Sequence, residues 1–200
     1  MRIRSFSLAA ILSLVLGLSW WSPADADVIT FVVTGAAGEG LLEGNIDPPT
    51  GELGTGGVGS TGLIYDTNTN LLHVDLVWGS GNGFIDLSQD VDRLHLHGPT
   101  DGSGVDAFGQ TAPLAITLSN SSTFDASRTN GGVNDNFFIS QGDEQALLDG
   151  RFYINVHLSD TDTGIIRGYM IAVPEPAGGF CLLLSIAGFA CQRRRACRCV

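Results

Sequence analysis

The stretch Gly62-Leu63-Ile64-Tyr65-Asp66-Thr67-Asn68-Thr69-Asn70-Leu71-Leu72-His73-Val74-Asp75-Leu76-Val77-Trp78 decides the fold class. Leu72, Val74, Leu76 and Trp78 alternate with Leu71, His73, Asp75 and Val77. A period of two is the signature of a strand with one face buried. Gly62 to Tyr65 form a second run that pairs with it across the polar loop Asp66 to Asn70, which predicts a hairpin.

The same period recurs on both sides of that hairpin. Val28 to Val33 is a β-branched run, and Leu94 and Leu96 alternate with His95 and His97. Leu114, Ile116 and Leu118 mark a strand after Pro113. Phe152, Ile154, Val156 and Leu158 alternate with Tyr153, Asn155 and His157, and Ile165 to Ile171 closes the series. Short strands separated by Gly-, Asn- and Asp-rich turns predict an all-β fold. The expected architecture is an antiparallel β-sandwich, either immunoglobulin-like or a superoxide-dismutase-like Greek key. One short helix is expected near 140–149, opened by the capping-box pattern Ser140-Gln141-Gly142-Asp143 and ended by Gly150. Gly54 to Gly59 reads as a flexible loop and the polar stretch Ser119 to Asn136 as a long mobile one.

Charge excludes several functions. Residues 27–172 carry 19 of the 21 acidic residues and four of the ten basic ones, a balance of −15. Such a field repels phosphate backbones, so no nucleic-acid partner is expected. The basic residues are all Arg, and without Lys there is no P-loop, Schiff base or pyridoxal-phosphate site. All four Cys (Cys181, Cys191, Cys197 and Cys199) fall outside 27–172, which leaves that segment no disulfide and no thiol nucleophile.

Both ends carry sorting features. Arg2 and Arg4 precede an apolar run from Phe6 to Trp21, and Ala24-Asp25-Ala26 supplies small residues where a signal peptidase reads. Residues 1–26 are therefore expected to be a signal peptide, with Asp27 as the new N-terminus. At the other end, Pro174-Glu175-Pro176 is followed by an apolar run over 177–191 and by Arg193-Arg194-Arg195. That run is short against the roughly 20 residues of a relaxed span, and the Arg cluster holds its far side in the cytoplasm. Residues 173–200 resemble the PEP-CTERM tail of bacterial exported proteins. The resemblance implies recognition and cleavage by an exosortase after temporary anchoring in the inner membrane. The localisation expected is the cell surface or extracellular matrix, and the final Cys-rich residues would remain as a cytoplasmic remnant.

Four motifs bear on chemistry. Gly54-Thr55-Gly56-Gly57-Val58-Gly59 satisfies G-x-G-x-x-G, but Pro48-Pro49 precede it and a strand follows, so no helix N-terminus receives a pyrophosphate. Asp66-x-Asn68-x-Asn70 starts like a calcium loop, yet Leu71 stands where its Gly belongs and Val77 where its Glu belongs. Asp160-Thr161-Asp162-Thr163-Gly164 is a polar turn between strands. The fourth motif, His95-Leu96-His97, puts two imidazoles on one strand face with Cα atoms about 6.8 Å apart. Copper and zinc sites use that spacing, while hydrogen bonding to loop backbone is the simpler role.

Taken together, His95-Leu96-His97-Gly98-Pro99, Tyr153-Ile154-Asn155-Val156-His157 and Gly164-Ile165-Ile166-Arg167-Gly168-Tyr169 resemble the CHRD domain, first named from the animal protein chordin. Asn45-Ile46-Asp47-Pro48-Pro49 echoes an early signature of that family. Ile165 stands where the family has Glu, and Tyr169 where it has Gln. With 165, 167 and 169 expected on one strand face, both changes strip polar partners from Arg167. The resemblance implies a non-enzymatic domain with a structural or binding role, toward matrix polysaccharide or another surface protein. His95, His97, Asn155, His157 and Arg167 are the candidate site residues. His95, His97 and His157 are expected to meet as a hydrogen-bonded cluster that binds metal weakly, and no cofactor is assigned. Two alternatives stand beside this reading. One is a metal-binding or redox β-sandwich holding copper or zinc on the three His, and the other an acidic calcium-dependent adhesin.

Overall fold

The hairpin forms as its period requires. In the computed structural model, which describes residues 28–51, 53–158 and 164–173, strands β4 (Thr55–Asp66) and β5 (Leu71–Trp78) pair antiparallel. The Asp66 carboxylate accepts the backbone N–H groups of Asn68 and Thr69, and Asn70 takes a left-handed φ of 56°. These bonds commit the would-be calcium ligand to the turn. Leu72, Val74, Leu76 and Trp78 are all buried, each aliphatic one contributing about 1.5–3 kcal/mol. The Trp78 indole N–H donates to the Ser127 carbonyl at 2.8 Å, so its one polar atom is satisfied inside the core.

Among the described residues, ten strands form one antiparallel sheet that folds into an all-β sandwich. β8 (Gly131–Phe138), β5 and β4 make one layer. The other contains β10 (Ile166–Ala172), β9 (Tyr153–Leu158), β6 (Val91–His97) and β7 (Leu114–Thr117). β1 (Val28–Gly35) joins the layers, pairing with β4 through its first half and with β10 through its second. The short β2 (Gly38–Glu39) extends β1, and β3 (Leu41–Leu42) bridges β4 and β10. Leu94, Leu96, Ile154, Val156 and Leu158 meet the β5 side chains in one apolar core.

Four sequence expectations need correction. Residues 55–59 are strand, not loop: β4 starts at Thr55, and its glycines answer close approach rather than flexibility. A Cβ at Gly56 would come within 2.7 Å of the Val77 carbonyl, and one at Gly57 within 2.9 Å of the Phe84 ring. Residues 131–136, placed in a mobile loop, belong to β8, which runs on to Phe138 and pairs with the whole of β5. Their polar character belongs to an edge strand, where Asp135 and Asn134 are held by Ser121 and Thr123 rather than by apolar packing.

The helix α1 (Glu144–Leu148) is shorter than expected. Ser140 Oγ donates to the Asp143 carboxylate at 2.6 Å instead of capping a backbone N–H, so the capping box does not form. Gly150 does end the helix, with φ of 71°. Finally, Ile165 does not share a face with Arg167 and Tyr169. It precedes β10, donates its N–H to the Val156 carbonyl at 2.7 Å, and packs in the main core. Among the described residues no helix is long and apolar enough to cross a membrane. Ala24, Ala26, Asp160 to Thr163, Pro174-Glu175-Pro176, the 177–191 run and Arg193-Arg194-Arg195 lie outside the described residues.

Candidate functional site

The outward faces of β6, β9 and β10 carry the polar residues that their inward faces cannot hold. Register places His95 opposite Asn155 and His97 opposite Tyr153 across β6 and β9. It places Arg167 opposite Asn155 and Tyr169 opposite Tyr153 across β9 and β10. Diagonal neighbours on one face lie within side-chain reach, so His157 joins His95 and His97. The segment containing Ile46, Asp47 and Pro48 stands over this face, and together they enclose a cleft of about 440 Å³. All five candidate site residues expected from the sequence are brought to this face.

These polar groups are deeply placed. His157 and Arg167 are each 4% exposed and His95 9%. The ligand nitrogens of His95, His97 and His157 all lie within 4.8 Å of one another. The His95 and His157 rings are 4.8 Å apart, and His97 stacks parallel to Tyr153 at 5.0 Å with an interplanar angle of 3°. His97 Nδ1 donates to the Ala112 carbonyl at 3.1 Å. In the neutral ring that bond fixes the tautomer and leaves a lone pair on Nε2. This buried Nε2 has no hydrogen-bond partner among the described residues.

Arg167 is held without a carboxylate. Its Nη1 donates to the Gln110 carbonyl at 3.2 Å, and its guanidinium lies 4.1 Å from the centre of the Tyr153 ring. Among the described residues it forms no ion pair. The Tyr169 hydroxyl donates to the same Gln110 carbonyl at 3.0 Å, and the Tyr153 hydroxyl accepts the Ala112 N–H at 3.2 Å. Asn45 ties the wall to the sheet, since its Nδ2 donates to the Arg167 carbonyl at 2.9 Å. Arg167 is thus met by a main-chain carbonyl and an aromatic face.

The electrostatics favour neutral imidazoles. Burial pushes His95 below its ordinary pKa, with Arg93 adding to the effect and Asp92 opposing it. Burial also lowers His97, and the positive fields of His95 and Arg167 reinforce it against the carbonyl bonds of Ala112 and Pro113. Neutral imidazole is the form that ligates metals.

Other parts of the site were not identified from sequence. Gln110 and Ala112 act through backbone carbonyls, which no side-chain pattern can announce. Asn45 and Asp47 belong to a segment whose sequence echo was visible, but a wall over the sheet cannot be read from local periodicity. His73, the remaining imidazole, is placed elsewhere, on β5.

An antiparallel β-sandwich with an imidazole- and arginine-bearing cleft on one outer face defines the class of domain. Residues 30–170 match the family model of the CHRD domain, and the chain belongs to the CHRD domain family. No curated protein matches it, and no solved structure does.

Proposed function

We propose that this chain is an exported, non-enzymatic CHRD-domain protein of the cell surface or its matrix, and that the cleft is its ligand-binding surface. One observation carries the reading. The segments that bear the family pattern, around Asp47, His97, Tyr153 and Arg167, are far apart in sequence yet line the same cleft. A binding surface gives such separated segments a reason to converge. The partners proposed are matrix polysaccharide or another surface protein, and the net charge of −15 over 27–172 argues against nucleic acid. Export rests on the signal-peptide pattern with Ala24 and Ala26, which implies signal peptidase. Surface retention rests on Pro174-Glu175-Pro176 with Arg193-Arg194-Arg195, which implies exosortase and temporary anchoring through 177–191.

Intact-mass measurement on protein from its host tests this. The expected species starts at or near Asp27 and ends close to Pro174-Glu175-Pro176. Recovery from the surface fraction of chains that still carry Arg193-Arg194-Arg195 would rule out the exosortase step.

A further inference from the structure

We propose that His95, His97 and His157 form a copper site selective for the monovalent ion, an inference that rests on reading the cleft as the binding surface. The three residues offer nitrogens alone, and among the described residues the cluster contains no carboxylate or thiolate. Imidazole suits copper and zinc among the common metals, while calcium and magnesium require oxygen ligands. The distances admit a shared ion. Metal–nitrogen bonds of about 2.0–2.1 Å set three trigonal donors about 3.5 Å apart. The widest separation allowed by the 4.8 Å bound would close through ring rotations of roughly an ångström at the nitrogens.

Two features prepare the cluster for a metal rather than for solvent. The Ala112 carbonyl fixes His97 through Nδ1, the arrangement by which a supporting hydrogen bond orients a metal-ligating imidazole. The opposite nitrogen, Nε2, is buried and has no hydrogen-bond partner among the described residues. An unmet acceptor in such a place destabilises the fold, and coordination would offset that penalty.

Charge selects the ion. Three neutral ligands compensate none of a cation's charge, and in the cleft around them the Arg167 guanidinium is set against the Asp47 carboxylate. With those two opposed the ligand shell decides, and on three neutral nitrogens a divalent ion keeps twice the uncompensated charge of a monovalent one. Zinc sites complete four-coordination, commonly with a carboxylate, thiolate or water. Monovalent copper needs no anionic partner and is satisfied by the three nitrogens present.

The test uses protein purified from its host, stripped with chelator, and titrated anaerobically with copper(I) under ascorbate and separately with zinc(II) and copper(II). Expected are one copper(I) per chain, held about a hundredfold or more tighter than zinc(II), and an X-ray absorption spectrum with nitrogen scatterers alone. His97→Ala and His157→Ala should each weaken binding by more than the roughly 10–100-fold that loss of a supporting partner costs. His73→Ala should leave it unchanged. If either cleft variant misfolds by circular dichroism, the absorption spectrum and His95→Gln decide instead. Absence of stoichiometric copper(I), binding unaltered by cleft variants, or a preference for zinc(II) or copper(II) would overturn the proposal. A copper-free protein correctly processed and displayed would overturn the copper site alone. A copper-loaded protein that keeps its C-terminal tail would count against the surface reading alone.

Discussion

Two strand faces carry this protein's histidines, and they treat them oppositely. On the β4–β5–β8 layer, His73 sits in a closed hydrogen-bond network. Its Nε2 pairs with Thr61 Oγ1 at 2.8 Å and its Nδ1 with Asn136 at 3.2 Å. The network exists because β4 bulges: pairing with β5 jumps from Val58–Leu76 to Leu63–Val74. Bulged residues lose ladder partners. Asp75, only 5% exposed, replaces them by accepting the Thr61 N–H at 2.7 Å and its hydroxyl at 2.8 Å. In the cleft, by contrast, His97 Nε2 is buried without such closure. One face spends its polar groups on holding the backbone, and the other leaves a lone pair over.

The sharpest way to break the comparison is to remove Asp75. Asp75→Ala removes the charged acceptor of the Thr61 N–H and hydroxyl and empties a buried position beneath the exposed bulge. The expected loss is about 1–3 kcal/mol by urea denaturation, with weakened amide protection over 59–62. Gly59 reinforces the point, since a Cβ there would collide with the Asp75 carboxylate. A neutral Asp75→Ala would mean that the bulge holds without its carboxylate, and that the two faces differ less than their hydrogen bonds indicate.

The second prediction concerns pH. His95 and His97 have folded pKa values depressed below the unfolded imidazole value of about 6.5. The unfolded chain therefore binds more protons just below that pH, and stability rises with pH there. The contribution is complete above about 6.5 and is lost as pH falls through the depressed folded values. Burial sets the direction, reinforced by Arg93 at His95 and by His95 and Arg167 at His97, with Asp92 opposing it at His95 and the Ala112 and Pro113 carbonyls at His97. Denaturation midpoints measured between pH 7.5 and 5, with chelator present, should fall on acidification. The slope should shrink in a His95→Gln, His97→Gln double variant, and an unchanged slope would show that the cleft imidazoles do not carry it.

The fold was legible where alternation was strict. Leu72 to Trp78, Leu94 to Leu96 and Ile154 to Leu158 each place a core face in sequence, and they meet in one cluster. It was illegible where backbone packing replaces side chains, as at Gly56 and Gly57, or where an edge strand such as Gly131–Phe138 is polar. The site divides the same way. Strand parity placed His95, His97, Asn155, His157 and Arg167 on one face. Ile165 broke parity because it enters the core just before β10 begins, and there a one-residue slip exchanges faces. The carbonyls of Gln110 and Ala112 left no trace in residue type, although they support Arg167, Tyr169 and His97.

The smallest expected effect is the most discriminating. His73 lies on the rim of the bulge network, where Thr61 keeps Asp75 and Asn134 as further partners. Removing its ring exposes groups that water can reach, because these bonds lie at the surface. His73→Ala should therefore change stability by no more than about 0.5 kcal/mol, the range of ordinary surface substitutions. Thermal melts of His73→Ala beside wild type measure it. A larger loss would make the imidazole a member of the bulge support, equal in kind to Asp75. A small one leaves Asp75 as the group on which that face depends, and leaves the cleft as the place where imidazoles are built in rather than draped over a surface.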